Sequence, residues 1–221
     1  MPLTHLQIKE ILDENRDHEC GGFGRDHVCV KIVSIAELPT RFGTYQVVAF
    51  WNNKDGKEHA AFVHGDITGE ENVPVRLHSE CLTGDAIGSL RCDCRDQLEA
   101  AMRYIAAQSC GVVIYLKQEG RGIGLLNKLK AYQLQDLGLD TVEANQYLNL
   151  PVDARDYKVA ASIIDLLKIR SVSLLTNNPD KIDQLKAEGI NVVDRIPIVI
   201  PGNGHDEGYL EVKREKMGHL L

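Results

Sequence analysis

The sequence predicts an α/β fold of three layers, α/β/α around a mixed β-sheet, with an N-terminal β-hairpin region. Three observations predict it. The chain from Lys31 onward is first rich in strand formers. Two later runs, "GVVIYL" (111–116) and "SVSLLT" (171–176), read as strands buried on both faces. Helical periods alternate with these runs, which favours parallel pairing through helical crossovers.

Residues 1–30 are polar, and "CGGFGRDHVC" shows neither period, so they are set apart as an N-terminal extension, poorly defined, before a domain spanning 31–221. "TYQVVAFW" and "HAAFVHGDI" flank the Asp-Gly turn signal of "NNKDGKEH" and predict a hairpin. "VPVRLH" is a further strand. Leu98, Met102 and Ile105 recur at helical spacing until "QSCG" stops them. The strand "GVVIYL" passes through the loop "KQEGRGIG" into the helix "LLNKLKAYQLQDLG". A third helix runs from roughly Asp156 to Ile169. The strand "SVSLLT", the loop "NNPD", a helix to Glu188 stopped by Gly189 and the strand "INVVDRIPIVI" complete the chain.

With 221 residues, 43% of them hydrophobic, the chain can bury the core of one large domain or two small ones. A net charge of −7 counts against sequence-independent binding of nucleic acid, so any polyanion site must be local. No apolar run reaches the roughly 20 residues needed to span a bilayer, and the start "MPLTHLQIKEILDENRD" carries acids where a secretory signal needs a positive end. A cytoplasmic protein with no membrane partner is expected. Six cysteines in a chain of this length point to reduced thiols rather than a disulfide framework, with Cys20, Cys29 and Cys110 as ordinary thiols.

The densest chemistry lies in "HSECLTGDAIGSLRCDC" (78–94). Cys81, Cys92 and Cys94 converge on one ion if the intervening stretch is a loop, which its two glycines permit. Three protein ligands leave a tetrahedral zinc one open position, as in catalytic sites. Spacing alone also allows a structural zinc closed by His78, or buried cysteines without metal. His78 and Glu80 form H-x-E, half of the zinc deaminase signature, but the other half, P-C-x-x-C, is absent.

"EGRGIG" (119–124) offers backbone N–H groups and Arg121 to an anion at the end of a buried strand. "TNNPDK" does the same beside Thr176 and Lys181, although Asn178 and Pro179 also read as an ordinary cap and first helical position. With Arg76 near the cysteines, the two loops suggest a site for nucleotide phosphates. In "PVDARDYK", Asp153 reads as an N-cap, while Arg155 is misplaced at the positive end of a helix unless it meets an anion.

Taken together, "RLHSECLTGDAIGSLRCDCRDQLEAA", "QEGRGIGLLNKLKAYQLQDLG", "DTVEAN", "DARDY", "LLTNNPDK" and "EKMGHLL" resemble the GTP cyclohydrolase II family, from about Lys31 to Leu221. The resemblance implies the first committed step of riboflavin biosynthesis: GTP is hydrolysed to 2,5-diamino-6-ribosylamino-4(3H)-pyrimidinone 5′-phosphate with loss of formate and pyrophosphate. It also implies one Zn²⁺ per subunit, Mg²⁺ and a homodimer. Carried over by position, the zinc ligands are Cys81, Cys92 and Cys94, with hydroxide in the fourth place attacking C8 of guanine. Nucleotide contacts fall on Arg76, Leu77, His78, Ser79, Glu80, Gln97, Glu119, Gly120, Arg121, Thr141, Thr176 and Lys181. Asp153 takes the role of proton acceptor, and Arg155 that of nucleophile or charge stabiliser at the α-phosphorus. Tyr132 takes a place near the guanine. Glu143 is preferred to Glu119 as reader of the guanine edge. The chain departs from the family pattern at Arg95, where glycine is usual, in the residues before Lys31, and in lacking the upstream synthase domain, so that only the GTP step is expected.

Overall fold

The computed structural model describes residues 4–16, 18–19 and 28–200, together with isolated positions 202, 204, 211, 214, 218 and 220. A seven-stranded sheet frames it. Strands β1 (Val30–Thr40), β2 (Gly43–Asn52) and β3 (His59–His64) form an antiparallel meander, and β3 continues antiparallel onto β5 (Gly111–Leu116). The pairing then turns parallel, through β4 (Val73–Ser79) and β6 (Val172–Leu175) to β7 (Val192–Ile196). The expected mixed sheet and hairpin are both present. In the β2–β3 turn, the Asn52 side chain accepts from the N–H groups of Lys54 and Asp55, and Gly56 supplies the φ of 62° that a residue with a Cβ resists.

Alternation along the central strands sorts the core into two layers. Val112, Ile114, Val75, Leu77 and Leu174 face one side, where α5 (Lys158–Leu166) and α6 (Pro179–Ala187) pack. Val113, Leu175 and Tyr45 face the other, against Ala101, Met102 and Ile105 of α2 (Cys94–Ala106). Helices α3 (Leu125–Asp136) and α4 (Thr141–Tyr147) pack against each other, and α3 also leans on the turn Glu119–Gly122.

Four expectations need correction. The extension contains a helix, α1 (His5–Arg16), whose Ile8, Ile11 and Leu12 pack on the first layer, and Asn15 Oδ1 accepts from the N–H of Ile32 at 3.2 Å. The third helix begins at Lys158, because the Asp153 carboxylate pairs with Arg155 instead of capping. Helix α4 was not foreseen; Asp140 caps it in a reciprocal box with Glu143. Cys29 is disulfide-bonded rather than an ordinary thiol, and Cys20 lies outside the described residues. Among the described residues, no helix is long and apolar enough to cross a membrane.

Candidate active site

A pocket of about 710 Å³ opens where β4, β5 and β6 end, roofed by α3 and α4. Its position follows from strand direction, since parallel strands release their loops at one shared edge.

At one corner lie the cysteines. Cys81 follows β4, a π-helical turn (Leu82–Ala86) carries the chain around, and Cys92 and Cys94 close the group at the start of α2. Their sulfurs lie within 4.8 Å of one another, and those of Cys81 and Cys92 are 3.7 Å apart. A tetrahedral zinc with bonds of about 2.3 Å requires its sulfurs roughly 3.8 Å apart, so the set fits that ion. Gly84 lines the same corner: a Cβ there would lie 2.9 Å from Cys92 Sγ and 3.1 Å from Cys81 Sγ. Among the described residues, no histidine or carboxylate joins the trio. His78 is engaged elsewhere, donating to Asp85.

A polar framework holds this corner. Asp85 accepts from His78 Nε2 at 3.0 Å, from the N–H of Cys81 at 3.0 Å and from the Tyr115 hydroxyl at 2.8 Å. Burial pulls the His78 imidazole below its usual pKa despite the pull of Asp85, so the ring is neutral near pH 7 and Nε2 carries its proton. Lys128 donates to Cys81 Sγ at 3.1 Å, Thr83 Oγ1 at 2.9 Å and Glu119 Oε1 at 2.8 Å. The thiols of Cys92 and Cys94 hydrogen-bond to Cys81 and, with Lys128, draw its pKa down against burial, while Cys92 is pushed up to about 11.

The second corner is basic. Arg76 is buried and donates to the Leu175 carbonyl at 3.0 Å and to Gln97 Oε1 at 2.6 Å. Lys181 donates to the Leu77 carbonyl at 2.8 Å, and Thr176 shares a tight turn with Asn178, which caps α6. Arg155 also reaches the pocket, pinned by three hydrogen bonds from its guanidinium to Asp153. Burial pushes the Asp153 carboxyl up, but Arg155 and Arg121 more than reverse this and hold it below the ordinary value. The loop 119–124 braces this arm: the Ala154 N–H donates to the Arg121 carbonyl at 3.0 Å, and a Cβ on Gly122 would meet the Ala154 backbone at 3.1 Å. Gly120 and Arg121 both take left-handed φ values, 62° and 58°.

The third corner is the wall of α3 and α4, with Tyr132, Gln135, Thr141 and Asn145. The Arg91 guanidinium lies 4.9 Å from the centre of the Tyr132 ring.

The pocket thus gathers Cys81, Cys92, Cys94, Arg76, His78, Ser79, Glu80, Gln97, Glu119, Gly120, Arg121, Tyr132, Thr141, Arg155, Thr176 and Lys181. It does not gather Leu77, whose side chain is in the opposite core and which offers only its carbonyl, nor Asp153, which stands behind Arg155. Glu143, preferred from the sequence as reader of the guanine edge, is exposed, bonded into the α4 cap and not among the residues lining the pocket. Glu80 is paired with Lys117. Arg95 runs along α2 to Glu99 rather than toward the pocket. Reading the sequence missed Asp85, Lys128 and Asn145; only Asp85 had a signal, lying inside the cysteine stretch.

The sequence model of the GTP cyclohydrolase II family matches residues 31–197. A GTP cyclohydrolase-2 of Picrophilus torridus is 56% identical over 192 residues, covering 87% of this chain and all of that protein. The GTP cyclohydrolase-2 of Neisseria gonorrhoeae is 53% identical, covering 86% and 95%. The riboflavin biosynthesis protein RibBA of Bacillus subtilis is 55% identical over 83% of this chain but only 46% of its own length.

Proposed function

Because this chain belongs to the GTP cyclohydrolase II family, we propose that its three-cornered pocket opens the imidazole ring of GTP and releases formate and pyrophosphate, leaving 2,5-diamino-6-ribosylamino-4(3H)-pyrimidinone 5′-phosphate. The chain is an enzyme of GTP hydrolysis in riboflavin biosynthesis. The observation that carries the finer reading is the sulfur trio, spaced for zinc and facing the pocket with no fourth protein ligand among the described residues.

Zinc held by Cys81, Cys92 and Cys94 would supply Lewis acidity and bring the pKa of a water down to about 7. Lys128 and Asp85 keep Cys81 in place, the first through its Sγ and the second through its N–H. Arg76, Lys181 and Thr176 take the triphosphate in a corner where the charge of the whole chain gives no help. Magnesium would arrive with the triphosphate, because the pocket's carboxylates are engaged: Glu119 by Lys128, Glu80 by Lys117, Asp136 by Arg91 and Asp140 by the α4 cap.

Arg155 stabilises charge at the α-phosphorus in this reading. To act as a nucleophile it would have to yield a proton to Asp153, whose carboxyl Arg155 and Arg121 hold below its ordinary value against burial, so the transfer runs strongly uphill. Tyr132 closes the base end between Arg91 and Lys128. A homodimer with one zinc per subunit completes the proposal, and sedimentation velocity tests the assembly.

Incubating zinc-loaded protein with GTP and Mg²⁺ tests the reaction. Formate and pyrophosphate in step with the pyrimidine product are expected. Ammonia would indicate a deaminase, and nucleotide retention without products would indicate a binding protein.

A further inference from the structure

Asn145 lies on α4, one turn beyond Thr141, and is 3% exposed. Its Nδ2 donates to the Pro151 carbonyl at 3.3 Å, which fixes the amide so that Oδ1 is the other end. That oxygen is buried, has no hydrogen-bond partner, and belongs to a residue lining the pocket. A buried acceptor without a donor costs about 1–3 kcal/mol, so its retention calls for a ligand that supplies one.

The layout of the pocket says which part of the ligand. On the reading above, C8 of guanine meets the sulfur corner and the phosphates meet the basic corner. The pyrimidine edge of the base, with its N1–H and 2-amino donors, then falls to the wall of α3 and α4. That wall is one unit: Gln135 Nε2 donates to Thr141 Oγ1 at 3.3 Å, tying α4 to the helix that carries Lys128 and Tyr132. Glu143 is held in the helix cap, and Glu119 is held by Lys128, the N–H of Leu82 and the N–H of Gly120. We propose that Asn145 Oδ1 accepts a hydrogen bond from the donor edge of guanine and so selects GTP among purine nucleotides. This inference rests on the pocket being the site of GTP ring opening.

The test compares kcat/KM for GTP, ITP, which lacks the 2-amino group, and 2-aminopurine riboside triphosphate, which lacks the N1–H. Wild type should prefer GTP over at least one analogue by about tenfold or more. Asn145→Leu should remove most of that preference by slowing GTP while changing the disfavoured analogue less than about threefold, whereas Asn145→Asp, which keeps an acceptor, should retain part of it. A merely structural residue would slow all three nucleotides equally, and that result would overturn the proposal. So would a wild type with no preference against either analogue, a measurement that needs no variant to fold. If Asn145→Leu does not fold, Asn145→Ser carries the same comparison. A wild type that turns over none of the three would bring down the ring-opening reading, and this inference with it. That outcome is distinct from turnover without discrimination.

Discussion

Gly84→Ala separates the metal corner from the rest of the fold. Gly84 sits inside the π-helical turn with an ordinary right-handed backbone, so alanine meets no φ penalty there and would add about 0.5–1 kcal/mol through backbone entropy. Its Cβ, however, would lie 2.9 Å from Cys92 Sγ, 3.0 Å from Cys94 Cβ and 3.1 Å from Cys81 Sγ. All three neighbours belong to the proposed zinc ligands, and none is the free end of a flexible chain. Overpacking of this kind costs about 1–3 kcal/mol, so the net loss of stability is about 1 kcal/mol, or a Tm lower by roughly 2–4 °C. The larger effect should fall on the metal, because the sulfurs can make room only by leaving the spacing that suits zinc. Chelator competition should show zinc affinity lower by at least about tenfold, and formate release at limiting zinc should fall in step, recovering with excess metal. An alanine variant that holds zinc and releases formate like the wild type would refute the assignment of this corner.

Arg155→Lys should lose most pyrophosphate release, since an ammonium cannot reproduce the forked pairing with Asp153 and the phosphoryl group; absence of a guanylyl adduct on wild-type Arg155 in quenched, denatured protein is the companion expectation. Asp140→Ala removes the α4 cap and should lower stability by about 1 kcal/mol in thermal unfolding, while raising KM for GTP more than it lowers kcat. The Asp55 carboxyl is pushed up by burial, but the Lys57 N–H, the Asn52 amide and His59 more than offset this and hold it below 3.8. It therefore binds fewer protons folded than unfolded, and its stabilisation, present above about pH 4, is lost as pH falls through the folded value; Asp55→Asn should flatten the acid limb of a Tm-against-pH curve.

Much of this was legible in the sequence, because buried strands and capped helices write their physics locally. "GVVIYL" and "SVSLLT" became β5 and β6, and Asn178–Pro179 opened α6 as their chemistry requires. Helix α1 carries local signals, since Ile8, Ile11 and Leu12 stand at helical spacing behind Thr4 and Gln7 at capping-box spacing, but the polar composition of the surrounding stretch masks them. Helix α4 did carry a signal, since Asp140 and Glu143 stand at capping-box spacing, but its short length gave no period to support it. Asp153 had the right residue type for a cap and lost that role to Arg155, two positions away. Within the site, the cysteines could be found by spacing, whereas Lys128 and Asn145 could not. Their roles depend on α3 and α4 folding over strand ends from which they are separated by a loop.

Strand β4 couples recognition to assembly. Arg76 and His78 alternate with Val75 and Leu77, so the polar pair and the aliphatic pair occupy opposite sides of one short ribbon. Slippage of that ribbon by a single residue would thrust a guanidinium among Val112, Ile114 and Leu174, a mispairing penalised by at least several kcal/mol. The groups proposed to greet the nucleotide therefore also proofread the register, and hydrophobic replacements at position 76 should blur strand alignment as well as the proposed substrate capture.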